Sequence, residues 1–156
     1  MGSNATLAPN TTVTRSRRHR FAIVPVLLAG AILLSACMNG DQQAAFDMIN
    51  ASRADAGVPA LEHDETAKKK AQLWAEHLVE INKLEHSNLA SGMDDGWKRL
   101  GENVGYSTAS ISRVHDQFMA SSGHRANILD RRFTHVGVGV AKGNGRTYVV
   151  HVFVQR

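Results

Sequence analysis

Apolar residues recur with helical spacing in the part of the chain that follows residue 40. The pattern predicts a helix that begins near Asp41 and ends at residues 56–59, where glycine and proline stop it. A second helix follows Asp64, whose carboxylate is a candidate N-cap. The apolar face of this second helix has six members: Ala67, Ala71, Trp74, Ala75, Leu78 and Ile81. We expect this face, with Trp74 in it, to be buried in the core.

The second half of the chain adds a third helix and a β-hairpin. The helix turns four residues inward: Ile111, Val114, His115 and Phe118. Residues 136–140 alternate as in a strand, residues 143–145 are a Gly-Asn-Gly turn, and residues 148–154 return as a second strand. Gly137 and Gly139 share one face of the first strand, so we expect another element to pack closely against it.

Two segments between these elements carry weaker signals. Residues 84–109 are rich in glycine, serine, asparagine and aspartate with few apolar anchors, which predicts a long loop. Residues 123–129 are expected to form a short turn. The pattern as a whole predicts helices around a small antiparallel sheet, which is an α+β fold with three layers in the order α-β-α.

The first 37 residues have the composition of an export signal. Four arginines at positions 15, 17, 18 and 20 precede an uncharged run over residues 21–36. This run ends in Leu34-Ser35-Ala36-Cys37, which resembles the lipobox of bacterial lipoproteins. We therefore divide the chain into a signal segment (1–37), a short tether (38–42) and one domain (43–156), and we expect acylated Cys37 to anchor the exported protein to the membrane of the cell envelope.

Other interpretations of the leader stay open. The apolar run could remain as an uncleaved membrane anchor, although it is short for a spanning helix. Residues 1–6 match the pattern for N-myristoylation, which acts in the cytosol. Ser16-Arg17-Arg18 resembles a twin-arginine signal, with Phe21 one position late. Cys37 is the only cysteine in the chain, so no disulfide within the domain is expected.

The basic character of the chain belongs to the leader. The net charge is +4 overall, but the leader holds four arginines and no acidic residue, which leaves 14 basic and 14 acidic residues in 38–156. A domain with balanced charge lacks the electrostatic footprint that binds phosphate backbones. We therefore expect no nucleic-acid partner, and we expect a monomer.

The domain contains no common catalytic motif. His-Glu-x-x-His, Gly-x-Ser-x-Gly, the Walker loop and Gly-x-Gly-x-x-Gly are all absent from the sequence. What remains is a polar set in three places: His86-Ser87, Gly101-Glu102-Asn103, and Gly123-His124-Arg125 with Asn127. This inventory favours a binding or structural role over an enzyme.

These motifs resemble those of the CAP superfamily, the cysteine-rich secretory, antigen-5 and pathogenesis-related proteins, in its short bacterial form. The match also includes Asn50-x-x-Arg53 near the end of the first helix and Phe133-Thr134-His135 before the first hairpin strand. Five motifs in order carry the resemblance over residues 43–154. It implies an α-β-α sandwich with a central cleft.

The resemblance also implies a set of site residues. Many family members hold two histidines and two acids in the cleft, where they can bind a divalent cation such as zinc. His86, Glu102 and His124 match three of these positions, and the fourth, an acid, is Ser121 in this chain. Asn103 and Asn127 are expected to line the same cleft. Three ligands would leave open coordination positions on zinc.

Three functions are consistent with this site. The first is a binding module for a small amphipathic, lipid-like or peptide ligand, with a cation assisting. The second is a metal-dependent, peptidase-like hydrolase in which Glu102 acts as general base toward a metal-bound water. The third is a structural or interaction module in which His86, Glu102 and His124 pin the long loop to the sheet.

Overall fold

The computed structural model describes residues 1–2 and 38–156. By its internal contacts the chain divides into two units, Met1–Leu33 and Leu34–Arg156, and the fold described below is that of residues 38–156. Apart from residues 1–2, the predicted signal segment lies outside the described residues, and so do its arginines and the lipidation site Cys37. None of the described helices is long and apolar enough to cross a membrane.

Four helices and four strands make up the domain. The helices are α1 (Gly40–Asp55), α2 (Glu65–Ile81), α3 (Ile111–Ala120) and α4 (Ser122–Leu129). The strands are β1 (Glu62–His63), β2 (Arg99–Ser107), β3 (His135–Gly143) and β4 (Arg146–Gln155). The predicted hairpin is confirmed as β3 and β4, which turn at Asn144 and Gly145, both in the left-handed region with φ of 54° and 71°.

The strands form one sheet in the order β1-β3-β4-β2. The three long strands are antiparallel, and only the short β1 runs parallel to its neighbour β3. Two apolar clusters cover the two faces of the sheet: α2 packs on one, and α1, α3 and α4 pack on the other. The α+β fold with three α-β-α layers is thus confirmed.

Side-chain caps fix where the helices begin. The Asn39 side chain accepts from the Gln42 amide while the Gln42 side chain accepts from the Asn39 amide, a reciprocal capping box. Helix α1 therefore starts at Gly40, inside the segment predicted as a tether. Asp64 caps α2 as predicted, since its carboxylate accepts from the Ala67 amide at 2.8 Å.

The prediction that an element packs closely on the glycines of β3 is confirmed. A Cβ at Gly137 would lie 2.0 Å from the Lys68 amide nitrogen, and one at Gly139 would lie 2.1 Å from the Ala71 carbonyl oxygen. Backbone of α2 therefore touches backbone of β3. Ala67, Ala71 and Ala75, the small residues of the helix face, have no exposed surface.

The prediction of a loop over 84–109 is wrong for its second part. Residues Arg99–Ser107 form β2, which pairs with β4 along its whole length. Its polar and glycine-rich sequence does not indicate a strand. The strand forms because the long apolar strand β4 supplies the backbone with which it pairs. The prediction of a turn over 123–129 is also wrong, because Ser122–Leu129 is the helix α4.

The apolar face predicted for α2 is narrower than expected. Trp74 is only half-buried, and its indole nitrogen donates to the Glu85 carbonyl at 3.0 Å. Ile81 is 38% exposed at the end of the helix. The small residues of the face pack on the sheet, whereas Trp74 covers the start of the segment that leads to β2.

Candidate functional site

A cleft lies along β2, at the outer edge of the sheet. It has a volume of about 390 Å³ and eight lining residues: Leu84, Val104, Gly105, Tyr106, Gln117, Phe118, Ser121 and His124. Strand β2, helix α3, the start of α4 and the segment after α2 each contribute part of the wall. Elements from both faces of the sheet therefore meet in this cleft.

The floor of the cleft depends on a glycine. A Cβ at Gly105 would lie 2.7 Å from the Phe118 ring, so only glycine lets α3 approach β2 this closely. The Phe118 ring then packs between two imidazoles, with its centroid 4.9 Å from that of His124 and 5.0 Å from that of His151. Phe118 thus has a packing role between the two histidine side chains.

His86 and Glu102 meet, as the resemblance implies. Nδ1 of His86 lies 2.7 Å from Oε1 of Glu102, and the same oxygen accepts from the Ser87 amide at 2.9 Å. The Glu102 side chain is 1% exposed and that of His86 is 65% exposed. The buried carboxylate of β2 therefore holds the segment around residue 86 against the sheet, as expected for a loop-pinning role.

A lysine of α2 secures the same segment. Lys70 Nζ donates to the carbonyls of Asn88 and Ser91 at 2.7 and 2.8 Å. Burial lowers the pKa of Lys70, and the Glu102 carboxylate opposes that shift. The second oxygen of Glu102 is buried and has no hydrogen-bond partner among the described residues. The positive charge of Lys70 thus compensates part of the cost of burying this carboxylate.

The two predicted asparagines connect α4 to β2. Asn103 Nδ2 donates to the His124 carbonyl at 3.0 Å. Asn127 Nδ2 donates to the Glu102 carbonyl at 3.1 Å and to the Asn103 side-chain oxygen at 2.9 Å. Asn103 has no exposed surface. Both amides therefore fix the position of His124 relative to the strand.

The predicted cation ligands are not gathered into one set. Within residues 38–156, as in residues 1–2, no group of three His, Cys, Asp or Glu side chains is placed to hold a metal ion. Burial lowers the pKa of His124, and the neighbouring His86 lowers it further. Ser121, at the position of the missing acid, lines the cleft instead. This arrangement of side chains does not fit a three-ligand zinc site. Binding of a divalent cation stays a prediction, which metal analysis of protein purified without chelator would test.

Several cleft residues carry no sequence signal. Leu84, Tyr106 and Gln117 look like ordinary loop, strand and helix residues, and only the paired strand β2 brings them together. His151 is 1% exposed, and its Nδ1 has no hydrogen-bond partner among the described residues. Burial lowers the pKa of His151 to about 3, and His115 and His124 contribute to the shift.

We expect this buried imidazole to make the domain less stable as the pH falls. His151 stays neutral in the folded state while its unfolded counterpart gains a proton below about pH 6.5, so the unfolded state binds more protons in this window. The free energy of unfolding should then fall by up to about 1.4 kcal/mol per pH unit on this account. Urea unfolding between about pH 7 and pH 5 measures the slope. The variant His151→Leu should show a shallower slope, and equal slopes would contradict the assignment.

Comparisons with known proteins agree with this fold. The family model described as "CAP: Cysteine-rich secretory protein family" matches residues 46–156. The uncharacterized protein YkwD of Bacillus subtilis is 32% identical over 101 residues, which cover 60% of this chain and 39% of that protein. The chain therefore spans well under half the length of this relative.

Solved structures show the same architecture. An extracellular protein of Bacillus anthracis with an SCP domain superposes with a TM-score of 0.68 at 25% identity, covering 76% of this chain and 41% of that one. An outer surface protein of Borrelia burgdorferi gives a TM-score of 0.67 at 20% identity, covering 76% and 94%. With the family model matched over most of the domain, the resemblance seen in the motifs is confirmed, and the chain belongs to the cysteine-rich secretory protein (CAP) family.

Proposed function

We propose that this protein is an exported CAP-domain lipoprotein whose cleft binds a small amphipathic ligand at the cell envelope. The observation that carries the proposal is the lining of the cleft. Apolar surface of Leu84, Val104 and Phe118 faces the polar groups of Ser121 and His124, and no carboxylate is among the lining residues. Largely apolar walls with a few polar groups are typical of small-molecule sites, and the volume falls within their usual range.

The side chains that line the cleft are suited to binding a ligand. His124 is kept neutral at physiological pH by its lowered pKa, so it can both donate and accept hydrogen bonds. The Glu102 carboxylate is hydrogen-bonded to His86 and to the Ser87 amide, and Glu102 does not line the cleft. Since the residues present do not fit the three-ligand metal site, we derive no hydrolytic step.

Export and anchoring are supported by the leader and by similar proteins. The lipobox ends at Cys37, and two similar structures are described as an extracellular protein and an outer surface protein. Acylation of Cys37 would attach the domain to the membrane through a tether of a few residues, since α1 begins at Gly40. Intact mass of the membrane-extracted protein tests this, because the parent should carry the lipid mass on Cys37 and the Cys37→Ser variant should not.

Blocking the cleft should abolish ligand binding without unfolding the domain. Gln117 is exposed and lines the cleft from α3, so Gln117→Trp places an indole at the site. With dodecanol as the probe and the Cys37→Ser chain as the protein, we expect titration calorimetry to show an affinity at least about tenfold lower than without the tryptophan.

The matched control is Arg113→Trp, one turn earlier on the same helix and outside the cleft lining. It adds the same indole to the same helix and should bind dodecanol as the parent does. If the parent does not bind dodecanol, or if both tryptophan variants bind equally well, the cleft is not the ligand site.

A further inference from the structure

The backbone of β2 has two sides, and only one of them pairs with another strand. Strand β2 is the last strand of the sheet, next to β4. Successive residues of a strand direct their N–H and C=O groups alternately to its two sides. The Gln155 carbonyl accepts from the Lys98 amide at 2.8 Å, just before β2, whereas the Val154 carbonyl accepts from the Thr134 amide at 3.0 Å, just before β3. Residues of β4 with odd numbers therefore face β2, and those with even numbers face β3.

The register of the two strands gives the orientation of β2 at the cleft. Gly105 lies opposite Val149, so its backbone groups face β4. Val104 and Tyr106 lie opposite residues with even numbers, so their N–H and C=O groups point away from β4, and both residues line the cleft. Glu102 agrees with this alternation, because its carbonyl accepts from a side chain of α4 at 3.1 Å and not from β4.

The outer edge of β2 is open at the cleft, in contrast to the outer edge of β3. On β3, the Val136 carbonyl accepts from the amide of the α2 N-cap at 3.1 Å, and the Gln72 side chain bonds to both the amide and the carbonyl of Val140. Val104 and Tyr106 have no backbone hydrogen bond outside the ladder with β4 in the part of the chain that the structure describes. A row of unpaired N–H and C=O groups is a template for a further strand.

We propose that the cleft binds an extended peptide segment of another protein as an added strand, which pairs with the outer edge of β2 through Val104 and Tyr106. This inference rests on the proposed cleft binding and names the class of its ligand. The two residues have the spacing of successive contacts in a β-ladder, since alternate residues face the same side. In this mode of recognition, backbone hydrogen bonds supply affinity and side-chain contacts supply specificity.

The charge of the cleft favours a bound segment without charged side chains. None of the eight lining residues is a lysine, arginine, aspartate or glutamate. Directly opposed residues of two strands share a face of the sheet, so the peptide residue opposite Gly105 would direct its side chain to the face of Phe118. An apolar side chain there would pack against the Phe118 ring, and Ser121 and His124 offer hydrogen bonds beside it.

The probe for this inference is the uncharged peptide acetyl-Gln-Thr-Leu-Thr-Gln-amide, titrated into the Cys37→Ser chain. With its leucine opposite Gly105, its two threonines pair with Val104 and Tyr106. We expect saturating peptide to slow hydrogen exchange of the Val104 and Tyr106 amides at least about tenfold, as measured by NMR, because pairing protects them from water. Unchanged exchange of both amides at saturation would contradict strand pairing.

Two N-methylated forms of the peptide separate backbone pairing from burial of side chains. N-methylation of both threonines removes the two donors that face β2, so we expect binding at least about tenfold weaker. N-methylation of the leucine and of the last glutamine removes two donors that face away from β2. This second form should keep its affinity within about threefold of the unmodified peptide.

Tyr106→Pro tests the same contact from the side of the protein. Proline lacks the outward N–H, and edge strands accept proline where the N–H does not belong to the ladder. Tyr106→Val also removes the ring but keeps the N–H. We therefore expect the peptide to bind Tyr106→Pro at least about tenfold more weakly than Tyr106→Val. Circular dichroism checks that both variants fold, and the methylated peptides carry the test if the proline variant does not.

The outcomes separate this inference from the proposed function. If dodecanol binds and the peptide does not, or if the two methylated peptides bind equally well, the added strand is overturned while cleft binding stands. Peptide binding that Gln117→Trp leaves unchanged would lie outside the cleft and would also overturn the inference. A dimer of the parent that Tyr106→Pro dissociates would assign the open edge to a second copy of the chain instead of a peptide. If neither dodecanol nor the peptide binds, both proposals fail.

Discussion

Replacing Gly139 with alanine should cost the domain at least about 3 kcal/mol of unfolding free energy, the upper part of the range for overpacked cores. The added Cβ would lie 2.1 Å from the Ala71 carbonyl oxygen and 2.2 Å from its carbonyl carbon. These are backbone atoms in the middle of α2, so no rotamer change can relieve the contact. Helix α2 would have to lift from the sheet, which separates Ala71 and Ala75 from their neighbours. Urea unfolding followed by circular dichroism measures the loss.

Gly123→Ala is the matched control for this substitution. A Cβ at Gly123 meets nothing within 4 Å, and the residue lies inside α4. Alanine is the better helix former, so this variant should be neutral or more stable by up to about 1 kcal/mol. A stability of Gly139→Ala within about 0.5 kcal/mol of the parent would mean that α2 does not pack on β3 as described.

The close packing of α2 on β3 was predictable because both sides leave a local signal. Gly137 and Gly139 alternate with valines, which indicates a strand that has no side chains on one of its two faces at these positions. The facing helix offers Ala67 and Ala71 at the spacing of one turn. Each pattern can be recognised in the sequence by itself, and in the structure the two faces pack against each other.

Strand β2 was not predictable in this way. Its sequence contains Gly101 and Gly105, where β-propensity is low, together with the buried polar residues Glu102 and Asn103. The two glycines have a tertiary cause, because they make room for the rings of Phe133 and Phe118. The strand exists because β4 offers a long apolar edge, and that pairing has no local signal.

The candidate site was only partly predictable for a related reason. His86, Glu102 and His124 came from the motifs of the family, and the structure joins His86 to Glu102 directly. The cleft beside them depends on Leu84 and Tyr106, whose residue types are common in any sequence. Their positions depend on the path of the segment after α2. Side chains of α2 and β2 fix this path through hydrogen bonds to the backbone carbonyls and amides of the segment.

Removing the guanidinium of Arg53 should destabilise the domain by about 3–5 kcal/mol, the range for breaking a buried charged network. The side chain has no exposed surface and donates to four carbonyls: those of Pro59 at 2.7 Å, Ile128 at 2.7 Å, Asp130 at 3.0 Å and Phe133 at 3.4 Å. Arg53→Met keeps the apolar stem but leaves these acceptors buried without a donor. Urea unfolding measures the difference from the parent.

The size of this effect follows from what Arg53 connects. The four carbonyls belong to the loop after α1, the end of α4 and the segment before β3, so one side chain fixes α4 and hence His124 beside the cleft. Arg53→Lys, with one ammonium in place of a fork, should lose an intermediate amount. Arg125→Met, at an exposed arginine with one hydrogen bond of 3.3 Å to the Met119 carbonyl, should stay within about 0.5 kcal/mol of the parent. If Arg53→Met were as mild as Arg125→Met, the carbonyls would be satisfied by water, and Arg53 would not be the residue that holds α4 in place.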